Sequence, residues 1–359
     1  MQKSRFIPEI ESLRGIAAFS VMVAHCFNQY GFHVGSAPLD SWQPIVNFII
    51  HVLFDENSAV VMFFVLSGYV LGLQLDGMRN GALEDTAAFW IRRLFRIAPA
   101  MWLTVVLAYV VAIHYRMPTA QPDLFLNALM FDGKYLLGTL WTLSVEMGCA
   151  LLFPLLYWLE RNNGLAVNLL VLCGLAWMMG IGAVPEWARY LVFFHGGLMV
   201  DRIGRLPKWS LYIALAAYAV APPLCSVLGL SILIWLRVVG IASVIILAFV
   251  VHQGAFGKLL TAQPIRFLGR ISYSVYLLHF VLISVVMNEV VVPISGKHPQ
   301  NVVGYQALCA LIVVPVTVLL SHGLYSLVER PFNRLGARIA SLSFSVRRTA
   351  VEAAARPAP

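Results

Sequence analysis

Residues 12–30 read SLRGIAAFSVMVAHCFNQY. The run is about long enough to cross a bilayer, yet it contains two ionisable side chains, Arg14 and His25. Eleven residues separate them. At about 100° per residue that spacing falls roughly 20° from three full turns. In a helix both side chains therefore share one face, roughly 16 Å apart along the axis. Charged groups inside a bilayer are costly and usually face a cavity or a partner, which marks the pair as functional candidates. A structural reading stands beside this one, with Arg14 snorkelling to the headgroups and His25 a satisfied core histidine.

Composition extends the membrane reading to the whole chain. Of 359 residues, 60% are hydrophobic and only 12% charged, with a mean hydropathy of +0.80. Soluble domains carry about 25% charged residues. Cys26, Cys149, Cys173, Cys225 and Cys309 are scattered, with no CxxC and no Cys/His cluster, so neither a metal site nor a disulfide framework is predicted. Cys26 beside His25 reads either as a nucleophile or, more simply, as a small buried hydrophobe. The net charge of +8 does not point to nucleic acid, because the charges bracket the apolar segments. No small-residue cleavage site follows the first apolar stretch, so it is expected to stay as a signal anchor.

An all-α polytopic membrane protein follows. About ten transmembrane helices are predicted, over residues 12–30, 59–75, 89–113, 139–159, 165–182, 188–201, 209–227, 230–252, 270–292 and 303–327. Residues 45–54 are too short to span and read as an interfacial or re-entrant helix ahead of the polar run Asp55-Glu56-Asn57-Ser58. With the N-terminus in the cytoplasm, 19 of the 25 Lys and Arg residues lie on the cytoplasmic side or its flanks. Four (Arg116, Lys134, Arg189, Lys297) lie opposite. That asymmetry predicts both termini to be cytoplasmic. Residues 1–331 are expected to form one transmembrane domain, and residues 332–359 a basic cytoplasmic tail able to touch anionic lipid.

Orientation makes depth calculable. His25 lies roughly 20 Å up from the cytoplasmic edge, and Glu146, seven residues into a descending span, at a similar level. A carboxylate beside an imidazole fixes its tautomer and favours the imidazolium, as in acyl-transfer enzymes. Equal depth does not by itself place the two in contact. His279, with Ser272, Tyr273 and Tyr276, forms a second polar stripe, either a helix–helix contact or a substrate contact. Arg92, Arg93 and Arg96 read as positive-inside anchoring or as guanidinium forks for a phosphorylated donor. His195, His252 and His322 are expected in ordinary packing or interfacial roles.

Six short motifs recur in order. They are Arg14-x10-His25, Phe63-Phe64-Val65-Leu66-Ser67-Gly68-Tyr69, Arg92-Arg93-x-x-Arg96-Ile97-x-Pro99, Trp141-Thr142-Leu143-Ser144-Val145-Glu146, Ile271-Ser272-Tyr273-Ser274-Val275-Tyr276-Leu277-Leu278-His279, and Val328-Glu329-Arg330-Pro331. Together they resemble the acyltransferase family 3 membrane proteins, the O-acyltransferases of bacterial envelope glycans. Two positions depart from the family pattern. Val61 stands where an Asp is usual, and Met147 where a second acid often follows Glu146. Some relatives carry an extracytoplasmic esterase-like domain after the last span. This chain is expected to lack one, and to act alone or with a separate extracytoplasmic partner.

The resemblance implies an acyltransferase of the bacterial inner membrane. It would move an acyl group, most often acetyl, from cytoplasmic acetyl-CoA to a carbohydrate hydroxyl, with no metal. On that reading His25 is the general base or a transient acyl carrier, and Glu146 orients it. Arg14 positions the donor or stabilises charge on its carbonyl oxygen, while Arg92, Arg93 and Arg96 hold the CoA phosphates. Asp55, Glu56, Asn57, Trp141, Ser144, Tyr273 and His279 are the candidate acceptor contacts, with a solvated loop the alternative for the first three. A transporter of a glycan or lipid-linked sugar is the competing class. It commonly shows repeat halves, and none is visible here.

Overall fold

The computed structural model describes residues 7–28, 43–76, 82–295 and 302–341, and among these every regular element is helical. In chain order the helices are α1 (Pro8–Phe27), α2 (Gln43–Leu53), α3 (Glu56–Asp76), α4 (Ala82–His114), α5 (Pro122–Leu129), α6 (Trp141–Asn162), α7 (Leu165–Met178) and α8 (Leu191–Leu198). They continue with α9 (Val200–Ile203), α10 (Lys208–Val227), α11 (Ile232–Gln253), α12 (Gly257–Leu260), α13 (Gln263–Val286), α14 (Val292–Ser295) and α15 (Val302–Leu324). A π-helical turn, Tyr325–Glu329, carries α15 onward into a helical run that reaches Ser341.

Local chemistry explains several of the ends. Pro8 begins α1, where a missing N–H costs nothing, and Glu9 and Glu11 sit in its first turn, against the positive end of the helix dipole. The backbone N–H of Ser58 donates to Asp55 Oδ2 at 2.6 Å, so Asp55 caps α3. Ser231 caps α11, which closes on Gly254 in the left-handed conformation.

Among the described residues, seven helical stretches are long and apolar enough to cross a membrane: Pro8–Phe27, Phe48–Asp76, Glu84–His114, Gly138–Asn162, Ile232–Gln253, Gln263–Ser295 and Val302–Ser341. They correspond to seven of the ten expected spans. Two of the other three fall on shorter helices. α7 has 14 residues, about 21 Å against a hydrocarbon core of about 30 Å. α8 has eight residues, all buried, so protein rather than lipid surrounds it. The third is α10, 20 residues long, with Pro222-Pro223 in its last turns. The expected interfacial helix is α2, broken from α3 at Phe54-Asp55. Of the expected basic tail, residues 342–359 lie outside the described residues.

α1, α3 and α13 form the centre of the bundle. Large apolar side chains are exposed along α4 (Trp102, Leu107, Val110), α6 (Leu151, Leu155, Trp158) and α15 (Leu311, Leu319). Such surfaces suit hydrocarbon, and the chain is a multi-pass membrane protein.

Glycine sets the closest helix crossings. A Cβ on Gly15 would overlap the backbone of Leu268 and Gly269, and one on Gly269 would overlap Glu11. α1 and α13 therefore touch backbone to backbone beside Arg14, the small-residue packing common in membrane bundles. Gly68 of α3 meets the Phe194 carbonyl of α8 in the same way, whereas Gly174 of α7 faces open space. Gly68→Ala is accordingly expected to cost about 1–3 kcal/mol. Gly174→Ala, which meets nothing and favours the helix, should hold or raise the thermal unfolding midpoint of the purified protein. Equal midpoints for the two variants would disprove the crossing.

Candidate active site

Two groups of polar side chains lie at opposite ends of α1. Near its C-terminal end, His25 Nδ1 is 3.0 Å from His279 Nε2. His25 Nε2 faces Glu56 Oε2 at 3.4 Å. Asn28 Nδ2 donates to the same Glu56 oxygen at 2.7 Å. The imidazole centroids are 5.1 Å apart with the ring planes 20° off parallel. With the facing nitrogens at 3.0 Å, the rings meet edge to edge rather than face to face. His279 Nδ1 lies 3.0 Å from the Val275 carbonyl of its own helix. Phe280 packs edge-on against His25, centroids 5.3 Å apart.

Glu146 was the expected partner of His25, and the structure places it elsewhere. It forms an ion pair with Arg93 at 3.2 Å and accepts from Ser67 Oγ at 3.0 Å. Arg93 NH2 meets it at an angle that makes no hydrogen bond, so the contact is ionic. The expected level does not hold either: Glu146 meets Ser67, eleven residues along α3 from the Glu56 that faces His25, and lines the slot with Arg14. The carboxylate beside His25 is instead Glu56, in the first turn of α3.

At the N-terminal end of α1 a cavity of about 350 Å³ opens. Arg14, Arg96 and Arg270 line it together with Glu11, Glu329 and Tyr273. The π-helical turn directs both Tyr325 and Glu329 into this space, a use often made of such turns at functional sites. Ser274 Oγ donates to Glu329 at 3.0 Å. Tyr273 O–H donates to the Ile97 carbonyl at 2.7 Å, which ties α13 to α4 beside Arg96. Arg14 Nε is buried with no hydrogen-bond partner among the described residues. A narrow slot of about 30 Å³ shares Arg14, Ser272 and Tyr273 with the cavity and continues past Glu146, Phe63 and Thr142 to Tyr276. The Tyr276 ring lies 5.7 Å from that of His279, so the slot leads from the cavity towards the imidazole pair.

The Arg92, Arg93 and Arg96 cluster is therefore divided. Only Arg96 lines the cavity, Arg93 pairs with Glu146, and Arg92 is exposed. Successive helical residues point about 100° apart, so adjacent arginines cannot share one target. Asp55 is the α3 cap and Asn57 is half-buried in the same turn. Trp141 packs against Phe64 and Tyr190. Ser144 Oγ donates to the Phe131 carbonyl, which anchors the segment before α6. Arg270, Glu11 and Glu329 were not singled out from the sequence. Arg270 looked like one more flanking cation, and Glu329 stood in a quoted motif with no role attached.

Three guanidinium groups around one cavity, one of them holding an unsatisfied buried N–H, suit a ligand carrying phosphate or carbonyl oxygens. An imidazole edge-bonded to a second imidazole and facing a carboxylate suits proton transfer.

A membrane-embedded helical bundle with a basic cavity at one end of α1 and a buried imidazole pair at the other is the class that the fold and site define. The chain belongs to the acyltransferase 3 family, whose acyltransferase-domain model matches residues 7–322. Acyltransferase MdmB of Streptomyces mycarofaciens is 26% identical, across 92% of this chain and 93% of its own length. YrhL of Bacillus subtilis is 24% identical, across 94% of this chain. The peptidoglycan O-acetyltransferase OatA of Listeria monocytogenes is 22% identical, across 92% of this chain. The chain spans 56% of the length of YrhL and of OatA. No solved structure matches the chain.

Proposed function

We propose that the protein transfers an acetyl group from acetyl-CoA to a hydroxyl of an envelope carbohydrate in the bacterial inner membrane. The observation that carries this reading is the placement of Arg14 and His25 on one face of α1. Arg14 stands in a basic cavity and His25 in a carboxylate–imidazole group, with a slot leading from one towards the other. The names of the OatA relatives support the acceptor class. The positive-inside asymmetry supports a cytoplasmic position for the cavity and an outer position for His25.

Arg14, Arg96 and Arg270 would hold the phosphates of the donor, whose thioester supplies the activated acyl group. Roughly 16 Å of helix separates Arg14 from His25, so the slot, with room for about one water as it stands, would have to widen to pass the pantetheine arm. His25 takes the proton of the acceptor hydroxyl as its oxygen attacks the thioester carbon. A C–O bond forms, the C–S bond breaks, and the proton held by His25 balances the departing thiolate. Glu56 stabilises the imidazolium formed in that step, the role expected of Glu146 from the sequence. Arg93 and Glu146 neutralise each other beside the slot and keep that stretch free of net charge.

Arg96→Ala and Arg270→Ala are each expected to weaken acetyl-CoA binding about 10- to 100-fold, the worth of one charge-assisted contact. Arg92→Ala should change it by no more than about two-fold, because an exposed cation is screened. Equilibrium binding of labelled acetyl-CoA to protein in nanodiscs reads both. Equal losses from Arg92→Ala and Arg96→Ala would reject the cavity as the donor site.

A further inference from the structure

His279 lies outside the cavity and slot, and the mechanism above gives it no task, although it is fully buried against His25. Its own hydrogen bonds determine what it can do. The Val275 carbonyl oxygen can only accept, so the 3.0 Å contact requires a proton on His279 Nδ1. A neutral His279 then has its lone pair on Nε2. That nitrogen faces His25 Nδ1 at 3.0 Å, so His25 Nδ1 must carry the proton and donate. A neutral His25 is left with its lone pair on Nε2, the atom that faces Glu56.

We propose that His279 is a positioning residue. Its bond to His25 keeps the proton on His25 Nδ1 and leaves the lone pair on Nε2, on the side of Glu56. The inference rests on the acyl-transfer reading and adds the atom that takes the proton. The hydroxyl proton moves to His25 Nε2. The resulting imidazolium keeps its Nδ1 bond to His279 and turns its one new N–H, on Nε2, to the Glu56 carboxylate, so both N–H groups face an acceptor. The opposite tautomer would set the Nδ1 lone pair of His25 against that of His279 Nε2 across 3.0 Å and leave no acceptor for the hydroxyl proton. The Val275 bond prevents this by holding His279 in one tautomer from within its own helix.

The test uses the full chain in liposomes with 15N-labelled histidine. The protein has nine histidines, and the His25→Gln spectrum identifies the resonances of His25 by subtraction. In the wild type at a pH where His25 is neutral, His25 Nδ1 should be protonated and Nε2 bare. The reverse assignment overturns the proposal without any His279 variant, so it stays testable even if those variants fold poorly. His279→Ala should mix the two tautomers and lower kcat roughly 10- to 100-fold, the scale on which groups that orient an imidazole act, with the KM for acetyl-CoA unchanged. His279→Gln places an amide oxygen where Nε2 stood and should restore most of kcat. A His279→Ala variant with wild-type kcat, or a Gln variant no better than Ala, also overturns it. The acyl-transfer reading itself fails by a different result, a wild type that does not consume acetyl-CoA.

Discussion

His25→Ala is expected to lower acetyl transfer by about 10²- to 10⁴-fold, the contribution of a positioned general base. The loss should fall on kcat. Acetyl-CoA binding should remain, because the cavity that holds the donor lies at the other end of α1, with Arg14 roughly 16 Å from His25. Steady-state transfer of labelled acetyl, run beside equilibrium donor binding, separates the two effects. A variant that keeps more than about one tenth of the wild-type kcat would remove His25 from the chemistry.

Glu146→Gln is expected to act on the fold. Arg93 is 7% exposed and Glu146 14%, and they face each other at 3.2 Å between α4 and α6. Removing the carboxylate leaves a guanidinium in a poorly solvated place with no counter-charge, a change that costs about 3–5 kcal/mol. The purified variant should unfold well below the wild type on heating. Adding Arg93→Met to Glu146→Gln should recover much of that loss, since a neutral pair of similar volume leaves no charge to solvate. The double variant should still transfer poorly, because both groups lie beside the route between cavity and imidazole. If Glu146→Gln melts with the wild type, the pair is solvated and the slot is not the closed passage described.

The sequence was most informative where the argument stayed within one helix. The eleven-residue interval from Arg14 to His25 required a common face, and the apolar runs marked the seven membrane-length helices. It was least informative where two helices meet. Glu146 was expected at the depth of His25, but it lies with Arg93 and Ser67 near the level of Arg14, because where α6 sits against α3 and α4 is set by packing rather than by any local pattern. Glu56 looked like a residue of a solvated turn. It reaches His25 because the break at Asp55 starts α3 beside the end of α1. The bond between His25 and His279 joins positions 254 residues apart, and only the glycine-mediated contact of α1 with α13 brings them together. Arg270 and Glu329 escaped notice for a related reason. A cation at a helix end and an acid near a terminal motif are ordinary, and only the shared cavity sets them apart.

The most direct measurement is transfer from radiolabelled acetyl-CoA by the purified protein in liposomes. Donor is supplied first alone and then with a crude envelope-carbohydrate fraction, beside His25→Ala. The account expects the wild type to place label in carbohydrate and His25→Ala to place almost none. A wild type that consumes no acetyl-CoA, while it and the variant both bind or move a lipid-linked sugar, would contradict it.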